Sequence, residues 1–437
     1  MPFQLRPRWP GTRGAGAAAL TVALLALSAC SRTYPNSIFH NRTDFNRDAV
    51  GGLFNLIIWL GSIVFVLVEG LLVYTMWKYR SRPGQREPEH VHGNTTLEIL
   101  WTIIPALILG WIAVPTVRTI FRTEAPAPAN ALQVEVIGHQ WWWEFRIPEY
   151  KVVTANELYL PLGRPVDFTL KSNDVIHSFW IPALAGKRDV IPNRVNHLWF
   201  TPDSTSEKAF NGVCVEYCGA SHANMRFRAF VVSTAEFDNW AKYQAGPAAM
   251  LPAPPAKSPA TAAAQQPAKN AISAGPPGVA TAVEAPIVAP VTQVGYTFPT
   301  GEIPEHVKPT TPIPASLTFD DNVLAQGDAA RGVAMLNKGV GGCVGCHAIS
   351  GFAMMAGVQG PNLTHVASRT SIGAGLFPND AKHMALWIKN ARLMKPGIIM
   401  PSLGKGQIDP QTKKLSTMSS LTDEQIADIV AYLRSLK

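Results

Sequence analysis

Two apolar runs, from about Val50 to Trp77 and from about Leu97 to Phe121, are each long enough to cross a bilayer as a helix, and they constrain this chain more than any other feature. Joined by a short polar loop, they make a membrane hairpin. The loop carries Lys78, Arg80, Arg82 and Arg86, and this excess of cations places it in the cytoplasm and both hairpin ends outside. Everything after Arg122 is then external. The net charge of +8 owes part of its value to this loop, so no nucleic-acid partner is implied. Glu69 falls inside the first run, where a carboxylate is costly unless it faces a partner protein or a water-lined cavity.

The N-terminus has the form of an export signal: Arg6, Arg8 and Arg13, then an apolar stretch from Ala15 to Leu27. The following Leu27-Ser28-Ala29-Cys30 resembles a bacterial lipobox, in which Cys30 would be lipidated; plain cleavage near Ala29 is the alternative. Composition argues against a single domain, because the 36 prolines cluster rather than scatter. Residues 244–320 are dominated by Pro, Ala, Thr and Val and read as a linker.

Between about Leu132 and Val232, short β-rich runs separated by Pro, Gly and Asn turns predict a small sandwich. Within it, Cys214-Val215-Glu216-Tyr217-Cys218-Gly219-Ala220-Ser221-His222-Ala223-Asn224-Met225 concentrates two thiols, an imidazole and a thioether in one loop. Soft sulfur donors beside imidazole select copper over hard cations, and two thiolates on one short loop can bridge two ions. His177, well upstream at the end of a strand, is the expected second imidazole. Two alternatives compete: a tetrahedral zinc site, which leaves Met225 without a role, and a Cys214–Cys218 disulfide, which says nothing about His222 or Met225.

A second centre is announced by Cys343-Val344-Gly345-Cys346-His347, the haem-attachment pattern in which two thioethers hold the porphyrin and the histidine ligates iron. A redox-active Cys-x-x-Cys is the competing reading, disfavoured by the histidine that follows at once. Helices are expected over Gly327–Gly339 and Asp423–Leu436, with Gly360-Pro361-Asn362-Leu363 as a turn over the haem edge. The sixth iron ligand is sought among Met354, Met355, Met384, Met394, Met400 and Met418. Met400, on a loop before the last helix as in class I cytochromes c, is preferred, with Met394 second.

His177 followed by Cys-x-Glu-x-Cys-x-x-x-His-x-x-Met resembles the binuclear CuA centre of cytochrome c oxidase subunit II, and the segment from about Ser37 to Trp240 is similar to that subunit throughout. The resemblance implies that Cys214 and Cys218 bridge two coppers, that His177 and His222 each cap one, and that Met225 is a weak ligand. It gives Glu216 two roles, a carbonyl ligand to copper and a carboxylate to a magnesium ion shared with subunit I. It places Glu98 at the mouth of a proton-uptake path, and the cost of a carboxylate at membrane depth leads to the expectation that Glu69 faces subunit I rather than lipid. It makes Trp141, in His139-Gln140-Trp141-Trp142-Trp143-Glu144-Phe145, the point where an electron arrives from cytochrome c, with Trp142 and Trp143 as packing. Alternate residues of a strand face opposite sides, so one face of the cluster is expected to be exposed.

The resulting expectation is a multi-domain chain. It comprises a signal peptide with lipobox (1–30), a two-helix transmembrane hairpin (31–125), an all-β cupredoxin-like sandwich (126–243), a linker (244–320) and an all-α class I cytochrome c (321–437). It would act as subunit II of a terminal haem-copper oxidase in a bacterial inner membrane, with both redox domains on the periplasmic face. Electrons would pass from a donor such as a cytochrome c or the cytochrome bc complex to haem c, then CuA, then subunit I, with subunit III alongside. A membrane-anchored electron carrier or copper-handling protein without oxidase activity is the alternative. A nitrous oxide reductase lacks its histidine-rich propeller here, and a quinol oxidase subunit lacks the two cysteines.

Overall fold

The apolar runs form α1 (Gly52–Lys78) and α2 (Thr95–Thr123), the first preceded by a wide helical turn over Phe45–Gly51. At 1.5 Å per residue each spans roughly 40 Å, enough to cross a hydrocarbon core of about 30 Å with some tilt. Neither helix buries a residue within this chain. Apolar surface of that extent is stable only against lipid or other subunits. Asn94 caps α2, its side chain accepting a hydrogen bond from the Leu97 backbone N–H at 3.2 Å, and Glu98 sits in the first turn, where the helix dipole favours an acid. Glu69 is exposed on α1.

The structure is a computed structural model that describes residues 42–84, 92–203, 207–248, 296–352, 354–416 and 421–437, together with Thr21. Cys30, Arg86, Met418 and residues 249–295 lie outside this set, so the lipidation site and most of the Pro/Ala-rich stretch are not described.

Two five-stranded sheets follow the hairpin. One runs in the order β3 (Val152–Ala155), β2 (Trp142–Ile147), β1 (Leu132–His139), β5 (Val166–Ser172) and β8 (Asn196–Phe200). The other runs β4 (Glu157–Pro161), β10 (Arg226–Val232), β9 (Ala209–Cys214), β6 (His177–Trp180) and β7 (Arg188–Val190). Alternate residues of β1 and β5 point inward, and aromatic rings fill the space between the sheets. Phe179 stacks on Phe227 at 4.9 Å, while Trp143 meets both edge-on and also touches the His177 ring.

Strand β2 departs from simple alternation. Trp142, Trp143, Glu144 and Phe145 are all buried, contrary to the expectation that one face of the aromatic cluster lies open. Two interactions account for it. Trp142 stacks on His139 with ring centroids 4.2 Å apart, and Glu144 is held by His139 at 3.1 Å and Arg146 at 2.5 Å.

The sandwich closes with α3 (Thr234–Ala245), started by a reciprocal Ser233–Glu236 capping box and seated through Phe237 and Trp240. The chain is next described at Tyr296. Phe298, Ile303 and Val307 are buried against the sandwich, and Leu317 and Phe319 enter the next core. Residues 296–320, assigned to the linker from composition, are therefore a packed strap. Isolated apolar anchors in a proline-rich background carry no periodicity, so composition alone does not distinguish them from a linker.

The C-terminal domain is helical: α4 (Asp321–Ala325), α5 (Ala329–Asn337), α6 (Ala381–Met394) and α7 (Asp423–Ser435), with one two-stranded ladder. The helices α5 and α7 cross, and Arg331 pairs with Asp428 at 2.6 Å over the crossing.

Phe168 lies fully buried against Phe179 and Phe200. Phe168→Ala is expected to destabilise the sandwich by about 3–5 kcal/mol, seen as a lower urea midpoint in chemical denaturation.

Candidate copper centre and haem-attachment site

Strand pairing brings distant residues together. Phe179 pairs with Cys214 across β6 and β9, so His177, two residues earlier, comes beside the loop that follows β9. The loop is pinned at both ends: the Cys214 N–H donates to Met225 O at 3.0 Å and the Val215 N–H to Ser178 O at 3.1 Å. A short helical turn over His222–Asn224 then returns the chain to β10.

The donor atoms converge. Cys214 Sγ lies 3.8 Å from Cys218 Sγ, 3.9 Å from His177 Nδ1 and 3.3 Å from the Glu216 carbonyl oxygen. Cys218 Sγ lies 3.6 Å from His222 Nδ1 and 3.8 Å from Met225 Sδ. Both cysteines are free and buried, so no disulfide joins them. A thioether in contact with one of the thiols is a soft donor that a structural zinc site does not call for, so the set fits copper. Glu216 is exposed, leaving its carboxylate available to another chain.

Electrostatics suit thiolate ligands. The hydrogen bond from Cys218 holds the Cys214 thiol down at about 4, against burial, with His177 assisting. Sharing that proton pushes Cys218 the other way. Burial depresses His177, but its hydrogen bonds to Asp174 and Cys214 outweigh this and raise it.

Asp174, three residues before His177, belongs to the site although it is no metal ligand itself. Its Oδ1 lies 2.7 Å from His177 Nε2, which orients Nδ1 toward the sulfurs, as a carboxylate behind a metal-bound histidine does. Gln140 is another such residue, donating from Nε2 to Cys218 O at 2.7 Å. The signal for Asp174 was its position three residues before His177 on one turn; Gln140 had none. Gly138 leaves room for the imidazole, since a Cβ there would lie 2.7 Å from the His177 ring.

Trp141 donates from its indole N–H to the same Cys218 carbonyl at 3.0 Å and is only 9% exposed. The C-terminal domain covers it: Lys395 donates to the Trp141 carbonyl at 2.7 Å.

In the C-terminal domain, Cys343 and Cys346 are free thiols at the end of a helical turn over Val340–Gly345. His347 Nδ1 lies 2.7 Å from the Pro361 carbonyl oxygen and donates to it, which fixes the tautomer and leaves Nε2 free to act as a ligand. Gly360 is required beside it, because a Cβ there would lie 2.6 Å from the imidazole. Burial holds the His347 pKa below the usual histidine range, keeping the ring neutral as a ligand must be. These residues fit a covalently held haem. Met384 and Met394 are buried in the helical core, whereas Met400 is half-buried on the loop after α6 and touches both cores.

Three family models match the chain in order: "Cytochrome C oxidase subunit II, transmembrane domain" over residues 39–119, "Cytochrome C oxidase subunit II, periplasmic domain" over 152–232 and "Cytochrome c" over 329–437. Cytochrome c oxidase subunit 2 of Alkalihalophilus pseudofirmus is 29% identical over 382 residues, 86% of this chain and 84% of that one. The Synechocystis sp. protein of the same name is 32% identical, with 47% of this chain and 74% of that one covered. Among solved structures, the periplasmic domain of subunit II of cytochrome oxidase of Bradyrhizobium japonicum matches at 31% identity and a TM-score of 0.26. It covers 27% of this chain and 95% of that one.

Asp174→Asn is expected to weaken copper binding about tenfold to a hundredfold, measured by competition with a copper chelator. Asp174→Ala should weaken it at least as much.

Proposed function

We propose that this chain, which belongs to the cytochrome c oxidase subunit II family, relays single electrons from its own haem c through a binuclear copper centre to subunit I, where oxygen is reduced to water with proton pumping. Members of this family are membrane-anchored components of an oxidase that associate with further subunits, and the two matched redox domains imply copper and haem c. The observation that carries the relay is the convergence of His177, Cys214, Cys218, His222, Met225 and the Glu216 carbonyl at one point of the sandwich, in the same chain as a Cys-x-x-Cys-His site.

In this reading Cys214, Cys218, His177 and His222 would hold the copper pair, with Met225 and the Glu216 carbonyl as further donors. When bound, the copper pair and the haem supply one-electron acceptors and donors. The protein's own part is to hold these donors in place before the metals arrive, so little rearrangement accompanies each electron. Asp174 and the Pro361 carbonyl fix the tautomers of His177 and His347. Cys343 and Cys346 would tether the haem, and Met400 would supply a second ligand to its iron. The exposed Glu216 carboxylate is offered to a magnesium ion at the boundary with subunit I.

The bare faces of α1 and α2 are the docking surface for subunit I, with Glu69 turned toward it and Glu98 at the cytoplasmic mouth of a proton path. Export by the N-terminal signal and lipidation of Cys30 would put the hairpin in the bacterial inner membrane, both redox domains in the periplasm. A cytochrome c or the cytochrome bc complex is the upstream donor, and subunit III completes the partners.

Oxygen uptake by the purified oxidase tests the relay. Cys214→Ser should lower donor-driven uptake about a hundredfold or more while the haem c band stays reduced in the steady state, because its electrons have nowhere to go. His347→Ala should lower uptake as far without any reduced haem band. Uptake unchanged in Cys214→Ser would contradict the proposal.

A further inference from the structure

The two redox domains are joined by more than the strap. Glu157, on the edge strand β4 of the sandwich, is 2% exposed, and its Oε1 accepts four hydrogen bonds from the helical domain. These come from the Thr370 N–H at 2.8 Å, the Thr370 hydroxyl at 2.6 Å, the Ser371 N–H at 3.0 Å and the Ser371 hydroxyl at 3.1 Å. Arg228 of the sandwich reinforces the contact, donating to the Thr370 hydroxyl at 3.2 Å.

A second side chain crosses in the opposite direction. Lys395, at the end of α6, is 2% exposed, and its ammonium is spent on two backbone carbonyls, Trp141 at 2.7 Å and Gly373 at 3.4 Å. Beside it the Ser221 hydroxyl, within the copper loop, donates to Pro396 O at 2.5 Å, and Ala391 and Ile398 are buried in the sandwich's own core. Burial pushes the Lys395 ammonium down to about 7, the Cys218 sulfur opposing the shift, which reflects how far this group has been taken from water. A carboxylate and an ammonium are kept this deeply buried only where their partners meet them in one geometry.

We propose that Glu157 and Lys395 are positioning residues that seat the haem domain in one fixed pose on the sandwich, with Trp141 beneath it and closed to an outside donor. This inference rests on the relay proposed above. It replaces a tethered donor that searches for its acceptor with a donor already in place. The seat also reaches the haem ligand: Arg369, next to Thr370, donates to Asn362 O, and the adjoining Pro361 carbonyl is the one that orients His347. The step itself is balanced by one electron, lost by ferrous haem and gained by the oxidised copper pair, with no bond or proton exchanged.

The test follows haem-to-copper electron transfer in the copper- and haem-loaded oxidase after pulse-radiolytic reduction of the haem, with and without glycerol. A seated domain gives a wild-type rate that does not change with viscosity. The double variant Glu157→Gln/Lys395→Met, with its haem and copper spectra intact, should transfer about tenfold more slowly and slow further as viscosity rises. A wild-type rate that falls with viscosity overturns the proposal without recourse to any variant. So does a double variant as fast and viscosity-independent as the wild type. Absence of a copper-pair or haem c spectrum in the wild-type protein would instead count against the relay.

Discussion

The sulfur pair of Cys214 and Cys218, 3.8 Å apart and unoxidised, is the feature on which the rest of the sandwich depends. Two thiols at that separation in a buried pocket repel one another once both ionise, and bound metal cations would relieve this. The fold keeps the pair in place with backbone bonds from Cys214 and Val215 to neighbouring strands, and with Gln140 and Trp141 both donating to the Cys218 carbonyl. His177 and Met225 then approach from opposite sides because β6 and β10 flank β9.

The same loop is also a boundary between domains. Ser221 bonds to Pro396 and Lys395 reaches the Trp141 carbonyl, so the residues that surround the sulfurs are held by two domains at once. Met400 touches both cores, which places the preferred haem ligand on the segment that meets the sandwich. Distance along the chain is thereby uncoupled from distance in space: residues 249–295 can be long and of low complexity without separating the centres they connect.

Local patterns were legible in the sequence, and long-range ones were not. The two membrane helices followed from apolar length, the sandwich from short β-rich runs, and the candidate copper loop and haem-attachment motif from the chemistry of closely spaced donors, with His177 and Met400 added from farther along the chain. Glu157 and Lys395 could not be found this way. Each is an ordinary charged residue in an unremarkable local context, and its burial is created only when residues more than 200 positions away pack against it. The strap over residues 296–320 was missed for the same reason, since Phe298 and Phe319 have no periodicity until two cores claim them. Trp141 was expected at an open face because a strand alternates; a second domain closes that face.

Electron paramagnetic resonance of the copper-loaded full chain tests the central claim most directly. The expected spectrum is that of a single unpaired electron shared over two equivalent copper nuclei, lost in Cys218→Ser. A spectrum of one isolated copper ion, or a protein that takes up zinc at the same sulfurs in preference to copper, would contradict it.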